Sequence, residues 1–251
     1  MAVACGEGFT AVVMEKGDLL SFGKGASGQL GLGTDADQLL PAYVGEADER
    51  SGGEAAVMVA ARYGHTHPHT RKAHTACVTA NGTLWTWGRG GFGQLGHGDR
   101  EPRQRQTQPG KEMYGGPPAV MVACGCFHKL VLTAVGLDEL RLGSLWSCGW
   151  GVFGQLGYGD MVDKLVLTFV GAEGFRGAQI VMVAAGGYHS VAVGTEGSVW
   201  TRGTGNQGRL GHNDEENRLV PTLLASYAQG GAAAVLVAAG HIQSSLPLCD
   251  D

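Results

Sequence analysis

The chain has no basic run, no long apolar run and no Cys-x-x-Cys pair, and each of these gaps removes a class of protein. Lys and Arg number 18 against 23 Asp and Glu, a net charge of −5 at pH 7. That balance lacks the basic footprint of a dedicated nucleic-acid binder, so nucleic acid and chromatin are not the expected partners. No segment approaches the ~18 uninterrupted apolar residues of a membrane span. The start, MAVACGEGFT, has no basic stretch ahead of an apolar one. The expectation is therefore a soluble protein of the cytoplasm or nucleus with no membrane partner. The cysteines, Cys5, Cys77, Cys124, Cys126, Cys148 and Cys249, show no disulfide framework. Cys5, Cys77 and Cys124 lie in apolar strand-like runs, where a thiol is read as a small buried hydrophobe.

Glycine is what the chain has in excess, 44 of its 251 residues. With no period of three, the excess must serve turns and close backbone approaches. Four segments align without gaps: FGKGASGQLG (22–31), WGRGGFGQLG (87–96), CGWGVFGQLG (148–157) and RGTGNQGRLG (202–211). A second marker precedes each: VACG from Val3, VAAR from Val59, VACG from Val122 and VAAG from Val183. A fifth copy, VAAG from Val237, has no glycine segment after it. Two markers recurring in one order define a tandem array, and a period of this size means stacked units.

Within a repeat the pattern is that of strands. Val57-Met58-Val59-Ala60 is short, apolar and β-branched, and His74-Thr75-Ala76-Cys77-Val78-Thr79 follows it. Asn81-Gly82 then leads to Thr83-Leu84-Trp85-Thr86-Trp87, which predicts a hairpin with a type I′ turn. A fourth strand is expected where a Pro-led apolar run closes two of the repeats, Pro41-Ala42-Tyr43-Val44 and Pro221-Thr222-Leu223-Leu224. The fold class expected is all-β: four-stranded antiparallel sheets acting as propeller blades, in a partial propeller that is open or incomplete. Residues 1–251 form one array, with approximate repeats at 1–56, 57–118, 119–179 and 180–234 and a partial fifth at 235–251.

The unit Val-Ala-Ala-Gly, His-Ser/Thr-x-Ala-Val, Trp-x-x-Gly-x-Gly-x-x-Gly-Gln-Leu-Gly resembles the regulator-of-chromosome-condensation repeat over nearly the whole chain. That resemblance implies a propeller, which in the family normally has seven blades. Repeat two departs from it by an insertion, Tyr63 to Lys72, and repeat three is lengthened around Gly136–Arg141. The shortfall in repeats suggests a fragment of a larger protein, and an open array would expose sheet faces and self-associate.

No residue is assigned a catalytic, cofactor-binding or metal-binding role. Each glycine segment matches Gly-x-Gly-x-x-Gly, but no helix follows to aim its N-terminus at a phosphate. The glycines read as architecture, with Leu30, Leu95, Leu156 and Leu210 as core plugs. Gln29, Gln94 and Gln155, with Arg209 in the fourth copy, would bond loop backbone. Asp99, Asp160 and Asp214, with Thr34 in the first copy, would brace turns. His65, His67, His69 and His74 are the densest set of potential ligands, yet their spacing fits no zinc motif and Arg71 and Lys72 would repel a cation. Ser190 beside His189 lacks an orienting carboxylate, and Gly143-Ser144 is no nucleophile elbow. The basic stretch Arg100–Arg105, with Lys111 beyond it, reads as a solvated loop.

The function expected is a non-catalytic protein–protein interaction module whose protein partner is not identified by sequence. The resemblance implies two alternatives: guanine-nucleotide exchange on a Ran-type small GTPase, or the propeller portion of a larger ubiquitin ligase or signalling protein. A light-sensing branch of the family carries a Gly-Trp-Arg-His-Thr pentapeptide that is missing here; its nearest match is Gly149-Trp150-Gly151.

Overall fold

The computed structural model describes residues 1–45, 54–64, 72–109, 117–134, 142–225, 233–234 and 237–240. Within them the chain makes four antiparallel sheets, each of four strands laid side by side in sequence order. The first holds β1 (Ala2–Gly6), β2 (Phe9–Val13), β3 (Leu19–Gly23) and β4 (Gln38–Tyr43). The second holds β5 (Ala56–Gly64), β6 (Lys72–Thr79), β7 (Leu84–Gly88) and β8 (Arg103–Thr107). In the third are β9 (Ala119–Cys124), β10 (His128–Ala134), β11 (Leu142–Gly149) and β12 (Lys164–Phe169). The fourth consists of β13 (Ile180–Ala185), β14 (His189–Gly194), β15 (Val199–Gly203) and β16 (Arg218–Leu223).

The core lies between the sheets. Alternation along each strand gives every sheet two apolar faces, so one sheet alone cannot bury both. Val131 of β10 packs with Val78 and Leu84 of the second sheet, while its neighbours Leu130 and Leu132 pack with Ile180, Val183 and Trp200 of the fourth. Between the first two sheets Ala11, Val13 and Leu19 meet Val59, Cys77 and Trp87. Beyond the fourth sheet, Val237 and Ala239 cover Val191, Val193 and Val199. The start of the fifth marker thus enters as another inner segment: Ala234 N donates to Gly197 O, as Ala56 N does to Gly17 O and Ala119 N to Gly82 O.

Three details differ from the expectation. The Asn81-Gly82 hairpin forms, but only Gly82 has positive φ (81°). Gly82 N donates to Thr79 O and the Asn81 carboxamide accepts from Thr83 N, which makes a type I turn with a left-handed glycine rather than type I′. Pro41 and Pro221 stand fourth, not first, in their strands; both strands are outermost in their sheets, where an amide pointing away from the ladder is dispensable. Cys5 is exposed on β1, whereas Cys77, Cys124, Cys126 and Cys148 are buried and in no disulfide. The face of the first sheet that Cys5 and Val3 (65% exposed) occupy has no sheet packed on it among the described residues.

The glycine segment joins one sheet to the next. Leu30, Leu95, Leu156 and Leu210 are all buried plugs. Gln29, Gln94 and Gln155 fold back so that their carboxamide oxygens accept the amides of Ser27, Phe92 and Phe153 at 2.8–3.0 Å. The glutamine's own carbonyl faces the following sheet. Gln29 O accepts from Thr75 Oγ1 (2.9 Å) and the Trp87 indole (2.8 Å); Gln155 O accepts from Ser190 Oγ (2.8 Å) and Arg202 Nε (3.0 Å). Between the second and third sheets the donors change: Cys148 Sγ points at Gln94 O, and Lys129 Nζ donates to Leu95 O at 3.0 Å. Asp99, Asp160 and Asp214 brace the loops as expected, accepting the amides of Glu101, Val162 and Glu216. Each also pairs with the basic residue four positions on, Arg103, Lys164 or Arg218.

Candidate protein-interaction face

One end of every blade is built by the same two contacts. The third strand ends on a glycine, and the residue after it turns back onto the start of the second strand: Lys24 N to Gly8 O, Arg89 N to Ala73 O, Trp150 N to Phe127 O and Thr204 N to Tyr188 O. Gly149 shows why glycine is needed there. Its φ is +110°, and a Cβ would sit 2.3 Å from Phe127 O. These contacts place Lys24, Arg89, Trp150 and Thr204 at one end of neighbouring blades, on an identical frame with four different side chains.

Aromatic residues collect at this end across blades two to four. Phe127 and Tyr188 are buried; Phe92, Trp150 and Phe153 are partly exposed around them. Phe92 meets Phe127 edge-on at 5.3 Å, Trp150 meets Phe127 and Phe153 edge-on at 5.3 Å each, and Phe153 meets Tyr188 at 5.6 Å. Edge-to-face geometry at these separations is a stable packing of rings with no slot between them. Val152, 40% exposed, continues the apolar surface outward.

The repeat histidines lie under this end. Gly125 and Gly186 of the second marker have no Cβ because the rings of His128 and His189 occupy its place: a Cβ would come within 2.2–2.3 Å of those rings. In repeat two the same marker position is Arg62. Its Nη1 donates to Ala239 O at 3.2 Å, and it also hydrogen-bonds Cys126. Burial, with the charge of Lys129 and Arg62 added, holds His74 at about 3; burial with Arg209 and Arg62 holds His189 at about 4. His128 is pushed well below the ordinary histidine range, first by burial and then by Arg202. All three are neutral at physiological pH.

A histidine–serine pair that the sequence did not reveal joins two blades. His128 Nε2 lies 2.9 Å from Ser190 Oγ. The serine's single proton goes to Gln155 O, so His128 is the donor in that pair and does not serve as a base. Ser190 and its neighbour His189 are both buried. The Gly-x-x-His frame of the light-sensing pentapeptide occurs at Gly125–His128 and Gly186–His189, with Cys126 and Gly187 where that motif has tryptophan. The five tryptophans disperse: Trp85 and Trp87 pack between blades one and two, Trp146 with the next core, Trp200 with Phe175, and Trp150 at the aromatic end.

The Gly-x-Gly-x-x-Gly amides are already engaged. Gly25, Gly151 and Gly205 donate to Asp37, Asp163 and Asn217, and the third glycine donates back to the second. A phosphate would have to displace the carboxylates of Asp37 and Asp163 and the carboxamide of Asn217 from those donors. In the basic stretch, Arg100 pairs with Asp163 of the next blade at 2.9 Å and Arg103 with Asp99. His65, His67, His69 and Lys111 lie outside the described residues, and His74 is buried. Among the described residues no group of three or more His, Cys, Asp or Glu is placed to hold a metal. No helix among them is long and apolar enough to cross a membrane.

Comparison with known proteins agrees with this geometry. The model of the regulator of chromosome condensation (RCC1) repeat matches residues 16–67, 81–132, 143–193 and 196–245. The chain is 32% identical over 222 residues to the ultraviolet-B receptor UVR8 of Arabidopsis thaliana, covering 87% of this chain and 44% of that protein. It is 31% identical to human E3 ubiquitin-protein ligase HERC2, covering 88% of this chain and 4% of the ligase. Among solved structures, human WBSCR16 superposes with a TM-score of 0.76 at 23% identity, over 95% of this chain and 55% of that one. Prp20p of Saccharomyces cerevisiae gives 0.70 at 23% identity, over 95% and 53%. The chain spans about half the length of these propellers and less than half of UVR8. Its four sheets are blades of that architecture, and the chain belongs to the regulator of chromosome condensation (RCC1) repeat family.

Proposed function

We propose that the chain is a non-catalytic protein-interaction module. The observation that carries this is the contrast between frame and filling at the aromatic end. The glutamine carbonyls and glycine amides of the repeat are hydrogen-bonded within or between blades, and the repeat histidines are buried. At equivalent positions the blades differ: Lys24, Arg89 and Trp150 reach the surface where the fourth blade has a buried Thr204, and Phe92, Phe153 and Gln207 do so where the first has a buried Ser27. A rigid scaffold carrying variable, partly apolar positions suits recognition of a protein surface. Cross-linking the full chain to partners in a cell extract, with the linked residues mapped, tests this. Reproducible partners linked at the aromatic end support it, and none at micromolar protein overturns it.

Two further readings follow from relatives. The structure of Prp20p is described with its binding to Gsp1p and histones, which favours a small GTPase as partner and guanine-nucleotide exchange as activity. Faster release of labelled GDP from a Ran-type GTPase would establish exchange, and an unchanged rate at micromolar protein would remove it. The match to HERC2 fits a propeller portion of a larger ligase, whose transfer chemistry would then reside outside this chain. The cytoplasm or nucleus is the proposed location; one relative, RUG3 of Arabidopsis thaliana, is mitochondrial.

A further inference from the structure

The aromatic end also carries unpaired cations. Lys24 and Arg89 are exposed on blades one and two. Arg209 of blade four replaces the glutamine of the other plugs, and instead of folding onto the loop amide its Nε donates to Asn206 O at 2.7 Å. Arg62 replaces a marker glycine and reaches Cys126, a member of the aromatic cluster. Among the described residues none of these four is in an ion pair, and an Nη2 of Arg62 and of Arg209 has no hydrogen-bond partner. Several nearby acids are engaged: Asp37 and Asp163 on glycine amides and Glu216 on Arg218. Exposed carboxylates here include Glu215, beside Arg209, Glu101, and Glu7 next to the Gly8 that Lys24 N bonds. A chain of net charge −5 thus presents unpaired cations around its exposed aromatic patch.

We propose that this end docks an acidic segment of a protein partner. The segment's apolar side chains would rest on Phe92, Trp150, Val152 and Phe153, and its carboxylates would face Arg89 and Arg209. The proposal rests on the interaction-module reading and names the partner's chemistry. Arg is suited to carboxylate because its planar fork accepts two oxygens at once. Nucleic acid fits the same end less well. The rings pack edge-on at 5.3 Å and leave no slot for a base, and the cations are spread over blades rather than lined along a strand path.

The test uses the full chain and three labelled probes read by fluorescence anisotropy: a twelve-residue peptide alternating Glu with Leu and Phe, its Lys-for-Glu counterpart, and a twelve-nucleotide oligothymidylate. The acidic peptide is expected to bind, the basic one not to, and the oligonucleotide more weakly than the acidic peptide. Arg209→Glu and Val152→Glu should each weaken the acidic peptide at least tenfold. Both sites are partly exposed, and retained thermal unfolding would show that the fold survives. Absence of acidic-peptide binding, unchanged affinity in both variants, or preference for the oligonucleotide would overturn the proposal. The extract cross-linking separates this failure from that of the broader reading. Partners linked only at β4, β8, β12 or β16 would keep the module and remove the acidic docking end.

Discussion

His74, His128 and His189 make the folded chain sensitive to acid by an amount that can be worked out. Each is buried and neutral, whereas in the unfolded chain each takes a proton near the ordinary histidine pKa of 6.5. Below that value the unfolded state binds more protons, so stability falls as pH falls and keeps falling until the folded values, about 3 for His74 and about 4 for His189, are reached. Each histidine contributes about 1.4 kcal/mol per pH unit in this window, so three contribute about 4. At pH 5 the loss from these three alone is about 6 kcal/mol, comparable with the whole stability of an ordinary domain, about 5–15 kcal/mol. Asp99 and Asp160, held below the usual carboxylate range by Arg103 and Lys164, lose their contribution only as pH falls below about 4. His97, held at about 4 by partial burial and Lys129, and the more weakly lowered His212 add to the slope in the same window. Urea unfolding followed by tryptophan fluorescence at pH 7.5, 6.5, 5.5 and 5.0 should show that slope. His189→Gln should remove about a quarter of it, whatever it does to absolute stability. A stability constant within about 1 kcal/mol from pH 7 to pH 5, or an unchanged slope in His189→Gln, would refute the reasoning.

Lys129→Met should stabilise the protein by about 1–2 kcal/mol in urea melts, because the cost of burying an ammonium exceeds the one charged hydrogen bond it makes. The acceptor, Leu95 O, keeps its bond from Thr86 Oγ1, so the substitution orphans nothing. Gly149→Ala should cost about 3 kcal/mol or more, since positive φ and a Cβ driven into Phe127 O act together; a melting temperature within a degree of wild type would contradict it. Brief iodoacetamide treatment of the native protein followed by mass spectrometry should label Cys5 well ahead of Cys77, Cys124, Cys126 and Cys148. Equal labelling of Cys77 would show that the interface between blades one and two opens.

The repeat was legible because its strongest markers answer to local constraints. Residues that must take positive φ, or whose Cβ would strike a carbonyl, are glycine in nearly every copy, with Asn213 (φ 63°) standing in the fourth copy where Gly33, Gly98 and Gly159 stand in the others. Leu recurs in four copies and Gln in three because they serve the same loop. Cys5 was misplaced for a reason alternation alone does not reveal. Its strand is built like β5 and β9, but no sheet covers its outer face among the described residues. The aromatic end was scattered in the sequence. Phe92, Phe127, Trp150, Phe153 and Tyr188 come from two glycine segments and two strand starts, and only the stacking of blades brings them together. The His128–Ser190 pair was hidden likewise, its partners lying 62 residues apart in successive blades. Arg62 was visible as a lapse in the marker, without any sign that it would reach Ala239.

The donors that hold each segment's glutamine carbonyl are an indole and a threonine after blade one, a thiol after blade two, with a lysine on the adjacent Leu95 carbonyl, and a guanidinium and a serine after blade three. The blades share one backbone plan, yet each joint has its own lock. During folding, a blade that docks out of turn would present the wrong donor, too long or too short, and leave a buried carbonyl without a bond. Neighbour order is therefore favoured in the native state by chemistry as well as by connectivity. In a chain of repeated units, a kind prone to misassembly and blade swapping, Trp87, Cys148 and Arg202 each fit one joint and so weigh against the wrong order.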